Sequence, residues 1–170
     1  MDNGFYCIEA GVVCCLLAVE FSYPYRMLAT PADTIMVCDA GNDRVQELTL
    51  AGGFVRSFIL KHPACIALQD DLLAISSNNA LTAPISIFSY RRGGLLRVMG
   101  AIGIGRGQIG ERVEGLAFSL DKKRLIVADH SGGRLSVFKT TGQFLDHIGE
   151  GHIGKGGFNG LCVARSGVTN

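Results

Sequence analysis

Between Thr34 and Ile148 the chain alternates short runs rich in Val, Ile, Leu and Phe with turns rich in Gly, Asp, Asn and Lys. No run carries on with apolar residues three and four apart, so the pattern predicts short strands and no long helix. The clearest set of runs places strands near Glu114–Phe118, Arg124–Ala128, Arg134–Lys139 and Gln143–Ile148. Asp121-Lys122-Lys123 and Thr140-Thr141-Gly142 supply turns between them.

The same set occurs earlier in the chain. Val37-Cys38-Asp39 recurs ninety residues on as Val127-Ala128-Asp129. The offset carries Arg44 onto Arg134, Leu48 onto Phe138, Gly52 onto Gly142 and Phe54 onto Phe144 without a gap. Ninety is two units of forty-five, the size of a four-stranded propeller blade. A degraded middle copy fills the interval as Leu72–Ser76, Ile85–Phe88 and Gly93–Met99, with Ser77-Asn78-Asn79 and Pro84 altering its hairpin. Gly157–Ala164 reads as the first strand of a further copy. The fold class expected is all-β: an incomplete set of β-propeller blades, each of four antiparallel strands. Blade one occupies residues 24–61, blade two and its connection 62–112, and blade three and its connection 113–156. Residues 157–170 begin another blade, and residues 1–23 read as outer strands of a preceding one, with no alignment to the other copies.

The first copy contains Val37-Cys38-Asp39-Ala40-Gly41-Asn42-Asp43-Arg44-Val45-Gln46. This resembles the hallmark of NHL repeats: a hydrophobic strand, Asp, a Gly-Asn turn, Arg, a hydrophobic residue and Gln. The third copy keeps Asp129, Gly132 and Arg134 but has Gly133 in place of the Asn, and the second keeps neither charged residue. The resemblance covers roughly residues 24–165. It implies a propeller, commonly six-bladed in this family, whose members mostly bind protein or RNA. A few related propellers are enzymes, including a peptide-amidating lyase. The function expected is a non-catalytic interaction module that binds a protein partner through a propeller face. An RNA-binding NHL domain ranks second, and a propeller hydrolase or lyase third.

Candidate chemistry changes this picture little. Asp39 with Arg44, and Asp129 with Arg134, flank four-residue hairpins where antiparallel pairing sets opposite charges across from one another. Because the pair recurs in two blades, it is expected to hold the hairpins rather than to catalyse. Gly105-Arg106-Gly107-Gln108-Ile109-Gly110 matches G-x-G-x-x-G but leads into a strand, where a dinucleotide site needs a helix. Gly149–Lys155 resembles a P-loop, yet Gly156 stands where Ser or Thr would hold magnesium. His147 and His152 bracket that segment without a third ligand, so no metal and no cofactor is expected. Six cysteines without a C-x-x-C pair read as buried, reduced thiols.

Net charge is +1, but residues 1–88 balance at −5 and residues 89–170 at +6. Strand alternation sends Asp43, Arg106, Glu111, Arg112, His130, His152 and Lys155 to one propeller face. The opposite face takes Arg91, Arg92, Lys122 and Lys123, diluted by Asp70 and Asp71. Arg91, Arg92, Arg106, Arg112, Lys122 and Lys123 are the candidate binding residues, with a protein partner first and RNA second. The longest apolar run, Gly11–Val19, is about half a membrane span, and the N-terminus lacks the basic residues of a secretory signal. A cytoplasmic protein without membrane contact is expected. Three blades leave edges uncovered, so self-association, or completion by missing blades or by another protein, is expected as well.

Overall fold

Strands form where the apolar runs lie, and each pairs with its neighbour in sequence. The computed structural model describes residues 20–79 and 84–149, together with the backbone of a hairpin between β1 (Cys7–Glu9) and β2 (Val12–Cys14). β3 (Pro24–Ala29), β4 (Thr34–Asp39), β5 (Arg44–Thr49) and β6 (Phe54–Ile59) make the first four-stranded antiparallel sheet. β7 (Pro63–Gln69), β8 (Leu72–Ser77), β9 (Ile85–Ser89) and β10 (Leu95–Met99) make the second. β11 (Ala101–Ile102) and β12 (Gln108–Ile109) form a short parallel bridge inside the connection to the third sheet. That third sheet is β13 (Val113–Phe118), β14 (Arg124–Asp129), β15 (Arg134–Lys139) and β16 (Phe144–Ile148). The anticipated strand at Gly157–Ala164, along with His152 and Lys155, lies outside the described residues.

Alternate strand residues point to opposite faces, so each sheet has two surfaces to cover. Met36, Cys38, Val45 and Phe58 on one face of the first sheet pack on Ile66, Leu73, Ile75 and Phe88 of the second. The other face of the second sheet sets Ala74, Ile85, Ile87 and Met99 against Leu116, Leu125, Val127 and Phe138 of the third. Phe58 and Phe88 meet edge-on with ring centres 5.6 Å apart, a favoured aromatic geometry. The inner strands β3, β7 and β13 lie side by side, with β7 between the other two. These are blades of an incomplete β-propeller.

The repeat extends to its irregularities. Each first-to-second strand pair slips register once, between Pro24 and Met27, Pro63 and Ile66, and Val113 and Gly115. Each third-to-fourth pair slips once as well, leaving Val55, Leu96 and Leu145 as the extra residues. Sequence alone ends one strand at Ala128 and starts another at Gln143. The observed β14 runs on to Asp129 because Asp129 pairs with Arg134, while Lys139 N–H donates to Gln143 O and keeps Gln143 in the turn.

Candidate functional site

The two charged hairpins tie the incoming connection to each blade. Asp39 is fully buried, and its Oδ2 accepts from Arg44 Nε (2.8 Å), Asn42 Nδ2 and Gln46 Nε2, while Oδ1 accepts from Ser22 N–H at 2.6 Å. Arg44 Nη2 donates onward to Glu20 O. Burial raises the Asp39 carboxyl, but these four hydrogen bonds, led by Ser22 N–H, outweigh it and hold the group below its ordinary value. Blade three repeats the arrangement. Asp129 Oδ1 accepts from Gly110 N–H and Gly132 N–H, and Arg134 Nε lies 3.4 Å from Oδ2. Arg134 Nη2 donates to Gly105 O and Gln108 O, fastening the G-x-G-x-x-G segment. A Cβ at position 132 would sit 2.3 Å from Asp129 Oδ2, which is why the turn needs glycine there. In blade two Ser77 takes the place of the acid, and its Oγ donates to Lys61 O.

A second cluster was not singled out from sequence. The register slips of the inner strands place Tyr25 and Arg26 of β3, Cys65 of β7 and Glu114 of β13 at one level around the axis. Bulges re-aim side chains in this way. Glu114 is 3% exposed, and its carboxylate accepts from Arg112 Nε (2.5 Å), Arg26 Nη2 (3.2 Å) and Tyr25 OH. Burial pushes the Glu114 carboxyl up; the Arg112, Tyr25 and Arg26 contacts pull it below the usual range, and the Arg112 guanidinium is raised in return. An acid inside the apolar strand Val113–Phe118 was the available clue, because a charge there must be paired. Glu114→Gln is expected to cost about 1–3 kcal/mol, since the partner arginines can turn to solvent. The urea unfolding midpoint of the variant checks this.

Arg26, Cys65 and Glu114 line one end of a cavity of about 550 Å³. Its walls mix apolar side chains, including Met27, Leu28, Ile66, Leu68, Leu116 and Phe118, with the polar Gln69, and its other rim is formed by Pro31, Asp70, Ser119 and Leu120. The size falls in the range of ligand-binding clefts. Cys65, on the wall, donates its thiol to Val113 O at 3.4 Å, and burial pushes its pKa up. Cys38 is pushed up to about 12, again chiefly by burial, so both thiols stay protonated at neutral pH.

The six basic candidates differ in their contacts. Arg112 is committed to Glu114, and Arg106 lies 6.0 Å from the Phe144 ring centre. Lys122 pairs with Asp70 at 3.0 Å. Arg91 and Arg92 occupy the β9–β10 turn, where Asp71 accepts from Arg91 N–H. Arg91, Arg92 and Lys123 hold no ion pair among the described residues. Buried Ser136 and half-buried His147 form a pair, with Oγ and Nδ1 3.1 Å apart. His147 Nε2 accepts from Gly107 N–H, so in a neutral ring Nδ1 carries the proton and faces Ser136. That tautomer cannot take a proton from the serine.

No protein-family model matches the chain, and no curated protein matches it. Solved structures do resemble it. Hydrazine synthase of Kuenenia stuttgartiensis aligns over 73% of this chain and 35% of its own, at 14% identity and a TM-score of 0.60. A catalytically inactive virginiamycin B lyase from Staphylococcus aureus, solved with quinupristin, aligns over 72% of this chain and 40% of its own, at 20% identity and a TM-score of 0.56. The WD40 repeats of RRP9 align over 76% of this chain and 40% of that one, at 15% identity and a TM-score of 0.58. The chain therefore spans about two fifths or less of these structures. The shared feature is the propeller fold, and fold alone assigns no chemistry. Among the described residues no helix is long and apolar enough to cross a membrane.

Proposed function

We propose that this chain is a non-catalytic interaction module of the NHL type that binds a protein partner through one propeller face. The observation that carries the reading is the state of the central cavity. The Glu114 carboxylate is fully engaged, Asp70 is paired with Lys122, and the Cys65 thiol is held protonated. Beside the polar Arg26, Gln69 and Ser119, the cavity offers an incoming group apolar wall, entered past the exposed Leu120 at its rim. A partner presenting one apolar side chain, within a segment short enough to lie across the turns, fits that description.

Selection of peptides from a random displayed library against the full chain tests the reading. Ala29 lines the cavity and is exposed, so Ala29→Trp fills the space without entering the core. Binders enriched in a single large apolar residue, and lost on Ala29→Trp, are expected. Binders indifferent to Ala29→Trp would place recognition elsewhere.

Unpaired Arg91, Arg92 and Lys123 favour RNA as the second reading. Single-stranded RNA titrated at physiological salt is expected to associate weakly, because Asp70, Asp71 and Asp121 share that face. A tight, sequence-dependent complex lost on mutating Arg91, Arg92, Lys122 and Lys123 would reverse the order.

A further inference from the structure

The blades are fastened to each other at their outer strands, and the third blade breaks the pattern. Register makes Arg56, Arg97 and Asp146 equivalent, because each lies across from the matching residue of the third strand, namely Glu47, Ile87 or Val137. Arg56 Nη1 donates to Tyr90 O, and Arg97 Nη1 donates to Thr140 O. Both acceptors open the third-to-fourth turn of the following blade. Beside each arginine an apolar residue is buried at the junction: Phe58 and Met99 are each 2% exposed. On β16 the equivalent residue, Ile148, is 52% exposed, and the neighbouring Asp146 is exposed too.

An aspartate cannot repeat what the arginines do. Its carboxylate only accepts, so a carbonyl brought against it would set acceptor on acceptor. In a head-to-tail pair of identical chains, the turn facing Asp146 would be Thr49-Leu50-Ala51-Gly52-Gly53, with Leu50 at the position of Tyr90 and Thr140. That turn has no charged side chain.

We infer that the face of the third blade left exposed among the described residues takes a β-sheet whose third-to-fourth turn carries a lysine or arginine directed at Asp146, and not the first blade of a second copy. The chemistry of the junction is inverted there: the incoming blade supplies the cation and this chain the acceptor. The inference is independent of the cavity, so its failure leaves the proposed function untouched.

Sedimentation equilibrium of the full chain tests it, with two substitutions that supply the missing donor. Leu50 is 73% exposed, so Leu50→Lys places an ammonium on the turn without disturbing the core. Asp146→Arg instead restores the donor on β16, facing the Leu50 carbonyl of a second copy. Each variant is expected to self-associate about tenfold more tightly than the parent chain. For Leu50→Lys the gain should vanish when Asp146→Asn is added and shrink with salt. Parent-level association of both variants would overturn the inference. So would a parent chain that already forms a tight dimer unaffected by Asp146→Asn.

Discussion

Asp129→Ala is expected to lower the unfolding free energy by about 3–5 kcal/mol, because removing one member of a buried charge pair strands the other. Asp129 is fully buried and the Arg134 side chain is 2% exposed, so the guanidinium cannot recover its hydration by a rotamer change. The substitution also strips the acceptor from Gly110 N–H and Gly132 N–H, which releases the incoming connection from the hairpin. Arg44→Ala, at the equivalent pair, is expected to cost less, about 1–2 kcal/mol. The Arg44 side chain is 19% exposed, and Asp39 keeps its bonds from Ser22, Asn42 and Gln46. Urea denaturation of the two variants side by side reads the difference directly. Equal losses would mean that burial does not set the strength of this recurring pair.

How much of this was legible from the residues follows from the physics of each feature. The blades were, because the ninety-residue offset from Val37 to Val127 repeats hydrophobic alternation and turn chemistry together, and both are local. The pairing of Asp39 with Arg44 and of Asp129 with Arg134 was legible for the same reason, since a four-residue hairpin fixes which residues oppose. The Glu114 cluster was not. Arg26 and Glu114 are far apart in sequence and meet because bulges in two inner strands turn them toward one axis, and a bulge leaves no composition of its own. The partners of the basic residues also escaped the charge count. The +6 balance of residues 89–170 says nothing about Arg112 being bound to Glu114 or Lys122 to Asp70. The repeat already sets Arg56 and Arg97 in line with Asp146; what it does not show is that each arginine donates to a carbonyl in the turn of the following blade.

Glu47→Ala should be the second most damaging of these substitutions, at about 2–4 kcal/mol, because Glu47 is the fully buried hub between blades one and two. Its carboxylate accepts from Thr34 Oγ1 and Tyr90 OH, each at 2.6 Å, and from Arg56 Nε at 2.6 Å. Arg56 also stacks over the Tyr90 ring, 4.3 Å from its centre, so one carboxylate orders both sides of the junction. Burial raises the Glu47 carboxyl; the bonds from Thr34, Tyr90 and Arg56 more than offset this and hold it below its ordinary 4.5. A folded-state value below the unfolded one adds stability above pH 4.5 that is lost as pH falls through the folded value. The acid limb of the melting curve should therefore be shallower in Glu47→Gln than in the parent chain. A further variant separates the charge from the space it fills. The equivalent residues of the other blades are Ile87 and Val137, and Arg97 reaches Thr140 O with Ile87 beside it. Glu47→Ile thus rebuilds a junction that this fold already uses, giving up two hydroxyl bonds and an ion pair but leaving no void. Melting temperatures should fall in the order parent, Glu47→Ile, Glu47→Ala. An isoleucine variant no better than the alanine one would show that the hydrogen-bonded hub, and not the filling of the junction, holds the first two blades together.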